Sequence, residues 1–176
     1  MLRKLFFFLF IVASICKIHS QETMAHPDGK QYKATPTWDF ICENYALSGV
    51  LKAQIAKTDK GGILKLAVEV TDDQFIGGTV YIFLSDFSVI TCTDKGIRGK
   101  SGKEALAYYV LSPAEMIRLK SKAITDIRFA IKGKETTFSS KIGNFTAINR
   151  KNYFEGYDKS VRNSFETEIQ ISSLYQ

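Results

Sequence analysis

Residues 50–70 read VLKAQIAKTDKGGILKLAVEV, and this pattern predicts a β-hairpin. Apolar and polar residues alternate on both sides of the central turn, which is the period of a strand that buries one face. The paired glycines Gly61 and Gly62 can adopt positive φ freely, so the segment 58–62 predicts the turn itself. The hairpin indicates an antiparallel sheet.

Similar alternation continues along the chain after the hairpin. It predicts further strands in five segments, residues 79–84, 89–92, 106–111, 124–132 and 136–142. Short runs of Gly, Asp and Ser separate these segments and favour turns. The sheet is therefore expected to have about six or seven strands.

Three segments carry helix signals. Ser112-Pro113-Ala114-Glu115 is a complete capping box with proline at the first helical position, and it predicts a helix over 113–122. Apolar residues recur at helical spacing within 152–174 and predict a C-terminal helix. Thr35 and Pro36 predict a short helix before the hairpin.

These elements together define the expected fold class. Strands dominate, the predicted connections are mostly hairpins, and a capped helix lies between two strands. We expect an α+β protein that is mainly an antiparallel sheet, either with its helices on one face or as a sandwich with inserted helices.

The N-terminus has the pattern of a secretory signal peptide over residues 1–20. Arg3 and Lys4 precede an uncharged apolar run over 5–15, and Ser20 is a small residue at the expected cleavage point. The run is too short to span a membrane, so we expect an exported protein without a transmembrane segment. Lipidation at Cys16 is the alternative, although the residue before a lipidated cysteine should be small and Ile15 is not.

Removal of the signal peptide would change the net charge of the chain. Three basic residues and no acidic residue leave with it, which lowers the formal net charge from +6 to +3. So small an excess does not require a nucleic-acid partner. Residues 21–36 contain prolines and Gly29 and are expected to form a flexible arm, whereas 37–176 should form a single β-rich domain.

Histidine and cysteine counts exclude several chemistries. Only His26, in the expected arm, remains after cleavage, so neither a zinc site with two histidines nor a His-based triad within the domain is available. We expect no cofactor and no metal. Cys42 and Cys92 are an even pair in an oxidising compartment, where they form either a disulfide or two separate buried thiols.

Several short motifs between residues 49 and 131 carry a resemblance. They are Gly77-Gly78-Thr79-Val80-Tyr81, the run from Tyr109 to Glu115, Leu119-Lys120-Ser121-Lys122 and Ile127-Arg128-Phe129. In these motifs the chain resembles a class of small exported β-rich proteins of unknown function from Bacteroidetes-type bacteria. The resemblance implies a capped helix between two strands and supplies no functional residues.

Residues 94–103 are the strongest candidate for a functional contact. The segment carries four basic residues, one acid and three glycines, but the spacing of a phosphate-binding loop is absent. Lys95, Arg98, Lys100 and Lys103 are therefore the candidate ligand-binding residues, and the ligand would be an anionic glycan or a lipid head group. A solvated hairpin loop explains the same composition.

Two further groups of residues could carry chemistry. The turn residues Asp72, Asp73 and Asp86 could supply the carboxylate pair of a hydrolase if they converge in space. An aromatic face for sugar stacking could be built from Tyr81, Phe83, Tyr108 and Tyr109.

No catalytic residue is identified by these patterns. Our leading hypothesis is a non-enzymatic exported module that binds or scaffolds a partner at the cell envelope, such as an envelope protein or an anionic glycan. A hydrolase with a carboxylate pair and anion binding through residues 94–103 are the alternatives.

Overall fold

The computed structural model describes residues 22–42, 49–71, 73–133, 142–152 and 163–176. Within these ranges the chain forms twelve strands and two helices. In chain order they are β1 (Glu22–Ala25), β2 (Gln31–Ala34), β3 (Trp38–Cys42), β4 (Val50–Thr58), β5 (Gly61–Glu69), β6 (Phe75–Ile76), β7 (Val80–Leu84), β8 (Val89–Cys92), β9 (Arg98–Ser101), β10 (Glu104–Leu111), α1 (Pro113–Ser121), β11 (Ile124–Lys132), β12 (Gly143–Ile148) and α2 (Thr167–Ser173).

The hairpin predicted from residues 50–70 is present as β4 and β5. The two strands pair antiparallel from Lys52↔Ala67 to Thr58↔Gly61, and Asp59 and Lys60 form the turn. Every second residue of β4 points into the core, as the alternation requires, because successive side chains of a strand face opposite sides of the sheet.

All described strands belong to one antiparallel sheet in the order β8-β7-β11-β12-β3-β4-β5-β10-β9. Strands β1 and β2 extend it from β4, and β6 pairs with β11. The sheet is curled, because hydrogen bonds connect the two ends of this order. The Tyr109 hydroxyl of β10 donates to the Gly78 carbonyl before β7 at 3.2 Å, and Arg98 Nε of β9 donates to the Ile76 carbonyl at 3.0 Å. The inner face of the curl holds the main hydrophobic core.

The mainly antiparallel α+β class is confirmed, whereas the strand number was predicted too low. The structure has twelve strands in one sheet, not six or seven, and forms no second stacked sheet within the described residues. The missed strands are β1, β2, β3, β6, β9 and β12, which have two to six residues each. Such short segments carry too few alternations to be distinguished from loops. The strand predicted over 136–142 lies, except for Ile142, outside the described residues.

The segment 21–36, predicted to be a flexible arm, is folded from Glu22 onward. Strands β1 and β2 form a hairpin on the outer face of the sheet, where Met24 and Ala34 pack against Ala56, Ile63 and Tyr108. This second cluster is buried, so the arm is a structural layer and not a linker.

His26 and Thr35 both belong to this folded layer, and the helix predicted at Thr35 is absent. The side chain of His26 is 11% exposed, and its ring contacts those of Tyr32 and Tyr108 edge-on. The Thr35 hydroxyl accepts a hydrogen bond from the Ile55 amide at 3.1 Å. Thr35 therefore joins the chain to β4 and does not cap a helix, and the following element is strand β3.

The capped helix is confirmed as α1. The Ser112 hydroxyl accepts a hydrogen bond from the Glu115 amide at 3.3 Å, and the Glu115 carboxylate accepts one from the Ser112 amide at 2.6 Å. Met116 and Leu119 are the buried residues of α1, which packs on β5. The C-terminal helix α2 packs on α1, and the Ser172 hydroxyl donates to the Lys120 carbonyl. Most of the spacing that predicted this helix lies in residues 153–162, outside the described residues.

Ser112→Ala is expected to reduce the free energy of unfolding by about 1 kcal/mol, because it removes the side chain that satisfies an unpaired amide at the start of α1. Ser121→Ala in the last turn of the same helix is the control and should be neutral or slightly stabilising. Urea unfolding followed by circular dichroism measures both. Equal effects of the two variants would contradict a capping role for Ser112.

Candidate binding site

The outer face of β7, β11 and β12 carries the candidate site. Tyr81 and Phe83 alternate with buried residues on β7, so both point outward. The register places Tyr81 beside Arg128 of β11, and Arg128 beside Thr146 of β12. An aromatic, a cationic and a hydroxyl side chain therefore lie in one row across three adjacent strands.

This row forms part of an open cavity of about 620 Å³. The cavity is lined by Thr79, Tyr81, Phe83, Arg128, Phe129, Asn144, Phe145 and Thr146. Phe129 and Phe145 are core residues whose rings pack together at a centroid distance of 5.8 Å. The accessible part of the lining thus combines two aromatic rings, one guanidinium and three neutral polar side chains.

Arg128 is positioned by an aromatic contact. Its guanidinium carbon lies 4.4 Å from the centroid of the Phe83 ring, within the range of a cation–π interaction. In the described ranges no carboxylate oxygen lies within 4.0 Å of the Arg128 guanidinium. The planar N–H donors of Arg128 can therefore bind a planar anion in bidentate geometry.

Tyr81 supplies an exposed aromatic ring to the cavity. Its side chain is 42% exposed, whereas the other residues of its strand are buried or half-buried. An exposed aromatic ring beside amide and hydroxyl groups is suited to packing against the apolar face of a sugar ring while neighbouring groups bind its hydroxyls. Asn144 of β12 supplies an amide donor and acceptor there.

The four basic residues predicted as ligand-binding are not equivalent. Arg98 forms an ion pair with Asp94 and lies over the Phe75 ring, so its charge is used to join β9 to the segment before β7. Lys95, Lys100 and Lys103 are exposed. The segment 94–103 contains strand β9, and the central basic residue of the predicted site, Arg98, has a structural role.

Asp94 is held as a carboxylate by its surroundings. Partial burial raises its pKa, but hydrogen bonds from the Gly78 and Gly96 amides and the charge of Arg98 outweigh that effect, so the pKa lies below its usual value. Asp94 thus neutralises part of the basic segment and anchors it. This arrangement weakens the hypothesis of anion binding through residues 94–103.

Asp73 and Asp86 are the described members of the suggested carboxylate pair, and Asp72 lies outside the described residues. Asp73 and Asp86 are exposed and lie on different connections, β5 to β6 and β7 to β8. Hydrogen bonds from the Ser88 hydroxyl and amide lower the pKa of Asp86, which is the opposite of the shift that a general acid needs. The described residues therefore give the hydrolase hypothesis no support.

Cys42 and Cys92 are free, buried thiols, which is the second of the two alternatives. Cys42 ends β3 and Cys92 ends β8, and the strands β12, β11 and β7 lie between them in the sheet. Adjacent strands are spaced about 4.8 Å apart, so the two residues are several strand spacings apart along the sheet. Burial raises the pKa of each thiol to about 12.

A second concavity, of about 370 Å³, lies on the outer face of β3, β4, β5 and β10. Two of its charges are paired within the protein, because Lys52 Nζ lies 2.7 Å from a Glu104 carboxylate oxygen. The Gln54 amide donates to the Thr35 carbonyl and to Glu22 of the N-terminal hairpin. This concavity is therefore less suited to a charged ligand than the cavity at Arg128.

Sequence reasoning identified part of the candidate site. It placed Tyr81 and Phe83 in an aromatic face but added Tyr108 and Tyr109, which are both buried. Arg128 was not identified as functional, although its position in the alternation of β11 indicates the outer face. Its place beside Tyr81 depends on the pairing of β11 with β7, which no local pattern shows.

Chemistry outside the cavity is limited in the described ranges. No group of three or more His, Cys, Asp or Glu side chains in these ranges could hold a metal ion. Neither α1 nor α2 is long and apolar enough to cross a membrane.

Comparison with known proteins adds no identification. No protein-family model matches the chain, and no significant match was found among curated proteins or solved structures. The resemblance to small exported proteins of unknown function therefore stays a prediction.

Proposed function

We propose that the protein is an exported, non-enzymatic module of the cell envelope that binds a glycan in the cavity on β7, β11 and β12. The observation that carries the proposal is the lining of this cavity, in which an exposed tyrosine lies beside amide, hydroxyl and guanidinium groups. Export rests on the signal-peptide pattern of residues 1–20.

The arrangement of the outer face supports this choice of surface. The N-terminal hairpin covers Ala56, Ile63 and Tyr108 on β4, β5 and β10. On β7, β11 and β12 no element of the described ranges covers the corresponding face, and its polar and aromatic side chains are accessible. An extended polymer needs such an open concave surface, because its chain must enter and leave the site at both ends.

The binding chemistry also agrees with a glycan. A sugar ring presents an apolar face to an aromatic side chain and a rim of hydroxyls to hydrogen-bonding groups. Tyr81 supplies the first contact, and Thr79, Asn144 and Thr146 supply the second. None of these residues belongs to the core, so they can be changed without unfolding the protein.

Tyr81→Ala is expected to weaken binding of a soluble polysaccharide about tenfold, because stacking and burial of an aromatic ring contribute about 1 to 2 kcal/mol. Affinity electrophoresis through gels that contain xylan, glucan, alginate or polygalacturonate measures the dissociation constants. The melting temperature should change little, since the ring is 42% exposed.

Tyr175→Ala is the matched control for this experiment. Tyr175 is a tyrosine of similar exposure, 38%, but it lies beyond α2, where its ring contacts Lys57 and Lys120. Its replacement should leave polysaccharide binding unchanged. If the two variants bind equally well, or if the native protein binds none of the polymers, the proposed function is wrong.

A further inference from the structure

We propose that the glycan carries a carboxylate and that Arg128 is the residue that selects it. This inference rests on the proposed function and adds the chemical class of the ligand, an acidic polysaccharide built from uronic acid residues. It starts from the charge of the cavity, whose described lining contains one cation and no carboxylate.

The distribution of charge over the outer face favours an anion at this place. The second concavity is lined by Asp39 and Glu104 as well as by Lys52 and Lys65, so acids and bases balance there. Arg128 has no described carboxylate oxygen within 4.0 Å of its guanidinium. The nearest acid along its strand is Asp126, whose carboxylate accepts a hydrogen bond from the Thr125 hydroxyl at 2.7 Å.

The geometry of Arg128 provides selectivity beyond charge. Stacking on Phe83 orients the planar guanidinium and reduces the side-chain freedom that binding would otherwise remove. A carboxylate on a sugar ring can accept two parallel hydrogen bonds from such a group, whereas a neutral hydroxymethyl group cannot. Tyr81 is the neighbour of Arg128 in the register, so a ring that packs on Tyr81 can present its carboxylate to Arg128.

The ligand test compares acidic polymers with their own neutral forms. Polygalacturonate, alginate and hyaluronate are each paired with a carboxyl-reduced sample, which keeps the sugar backbone and removes the charge. The native protein is expected to bind at least one acidic polymer more than about tenfold tighter than its reduced form, the effect of charge-assisted hydrogen bonds. This preference should decrease as salt is added.

The protein test uses three variants. Arg128→Gln should bind the acidic and reduced forms equally. Arg128→Lys should keep only part of the preference for the acidic form, because an ammonium lacks the planar set of N–H donors of a guanidinium. Lys103→Gln tests the competing hypothesis that the segment 94–103 selects the anion, since Lys103 is exposed there. It should bind like the native protein, and each variant's melting temperature shows that it is folded.

The outcomes separate this inference from the proposed function. If the native protein binds acidic and reduced polymers equally, and Tyr81→Ala weakens both, the proposed function holds and the selection of a carboxylate is wrong. If Arg128→Gln retains the preference and Lys103→Gln loses it, the basic segment selects the anion instead. If no polymer binds, both the proposed function and this inference are overturned.

Discussion

Gly61→Ala is expected to reduce the free energy of unfolding by about 3 to 5 kcal/mol, which combines backbone strain with a steric clash. Gly61 has φ of +132°, a conformation that L-residues rarely adopt. A Cβ atom at this position would lie 2.1 Å from the Leu111 carbonyl oxygen, so the backbone of β10 would have to move.

The clash would disturb three elements at once. Gly61 begins β5, Leu111 ends β10, and Ser112 caps α1 immediately afterwards. Moving Leu111 away from the sheet would break its pairing with Gly62 and displace the start of α1. Equilibrium unfolding in urea measures the loss.

Gly102→Ala is the matched control for Gly61→Ala. Gly102 also has a positive φ, +58°, but a Cβ atom there would meet no atom within 4 Å. Its replacement should cost about 1 to 2 kcal/mol, the energy of a left-handed conformation alone. Equal costs for the two variants would show that the contact between Gly61 and Leu111 does not limit stability.

Trp38→Ala is expected to cost about 3 to 5 kcal/mol, the range for removing a large aromatic side chain from a core. Trp38 is fully buried, its ring stacks on Phe40, and its indole N–H donates to the Gln170 side chain on α2. The side chain therefore joins strand β3 to the C-terminal helix. Trp38 is the chain's single tryptophan, so the variant has no tryptophan fluorescence to follow. Urea unfolding is therefore monitored by circular dichroism.

Gln170→Ala separates the hydrogen bond of Trp38 from its packing. This variant leaves the indole N–H without its acceptor but keeps the ring in the core, and it should cost about 1 to 3 kcal/mol. A Trp38→Ala variant no less stable than Gln170→Ala would mean that packing of the ring contributes little.

Local patterns predicted the elements whose signals are complete within a few residues. The hairpin of β4 and β5 alternates along both of its strands, and the capping box at Ser112 contains both of its partners within four residues. Strand β6 has no such local signal, because it pairs only with the distant strand β11. Strands β1 and β9 pair with the next strand along the chain, but they have four residues each and carry too few alternations to be recognised.

The same distinction applies to the two cysteines and to the candidate site. Alternation correctly predicts that Cys92 points inward. Its distance from Cys42 depends on the order of the strands in the sheet, which no local pattern shows. Tyr81 was identified because its own strand shows that it faces outward. Arg128 becomes its neighbour only through pairing of strands more than forty residues apart in sequence.

The state of Cys42 and Cys92 has a consequence for the production of this protein. Both thiols are protonated at neutral pH because burial raises their pKa to about 12, and a protonated thiol is a poor nucleophile. The described fold contains no covalent cross-link between them, so it needs no oxidant or disulfide isomerase to form. Recombinant protein should therefore reach the same folded state in the reducing cytosol of a bacterial host as under oxidising conditions.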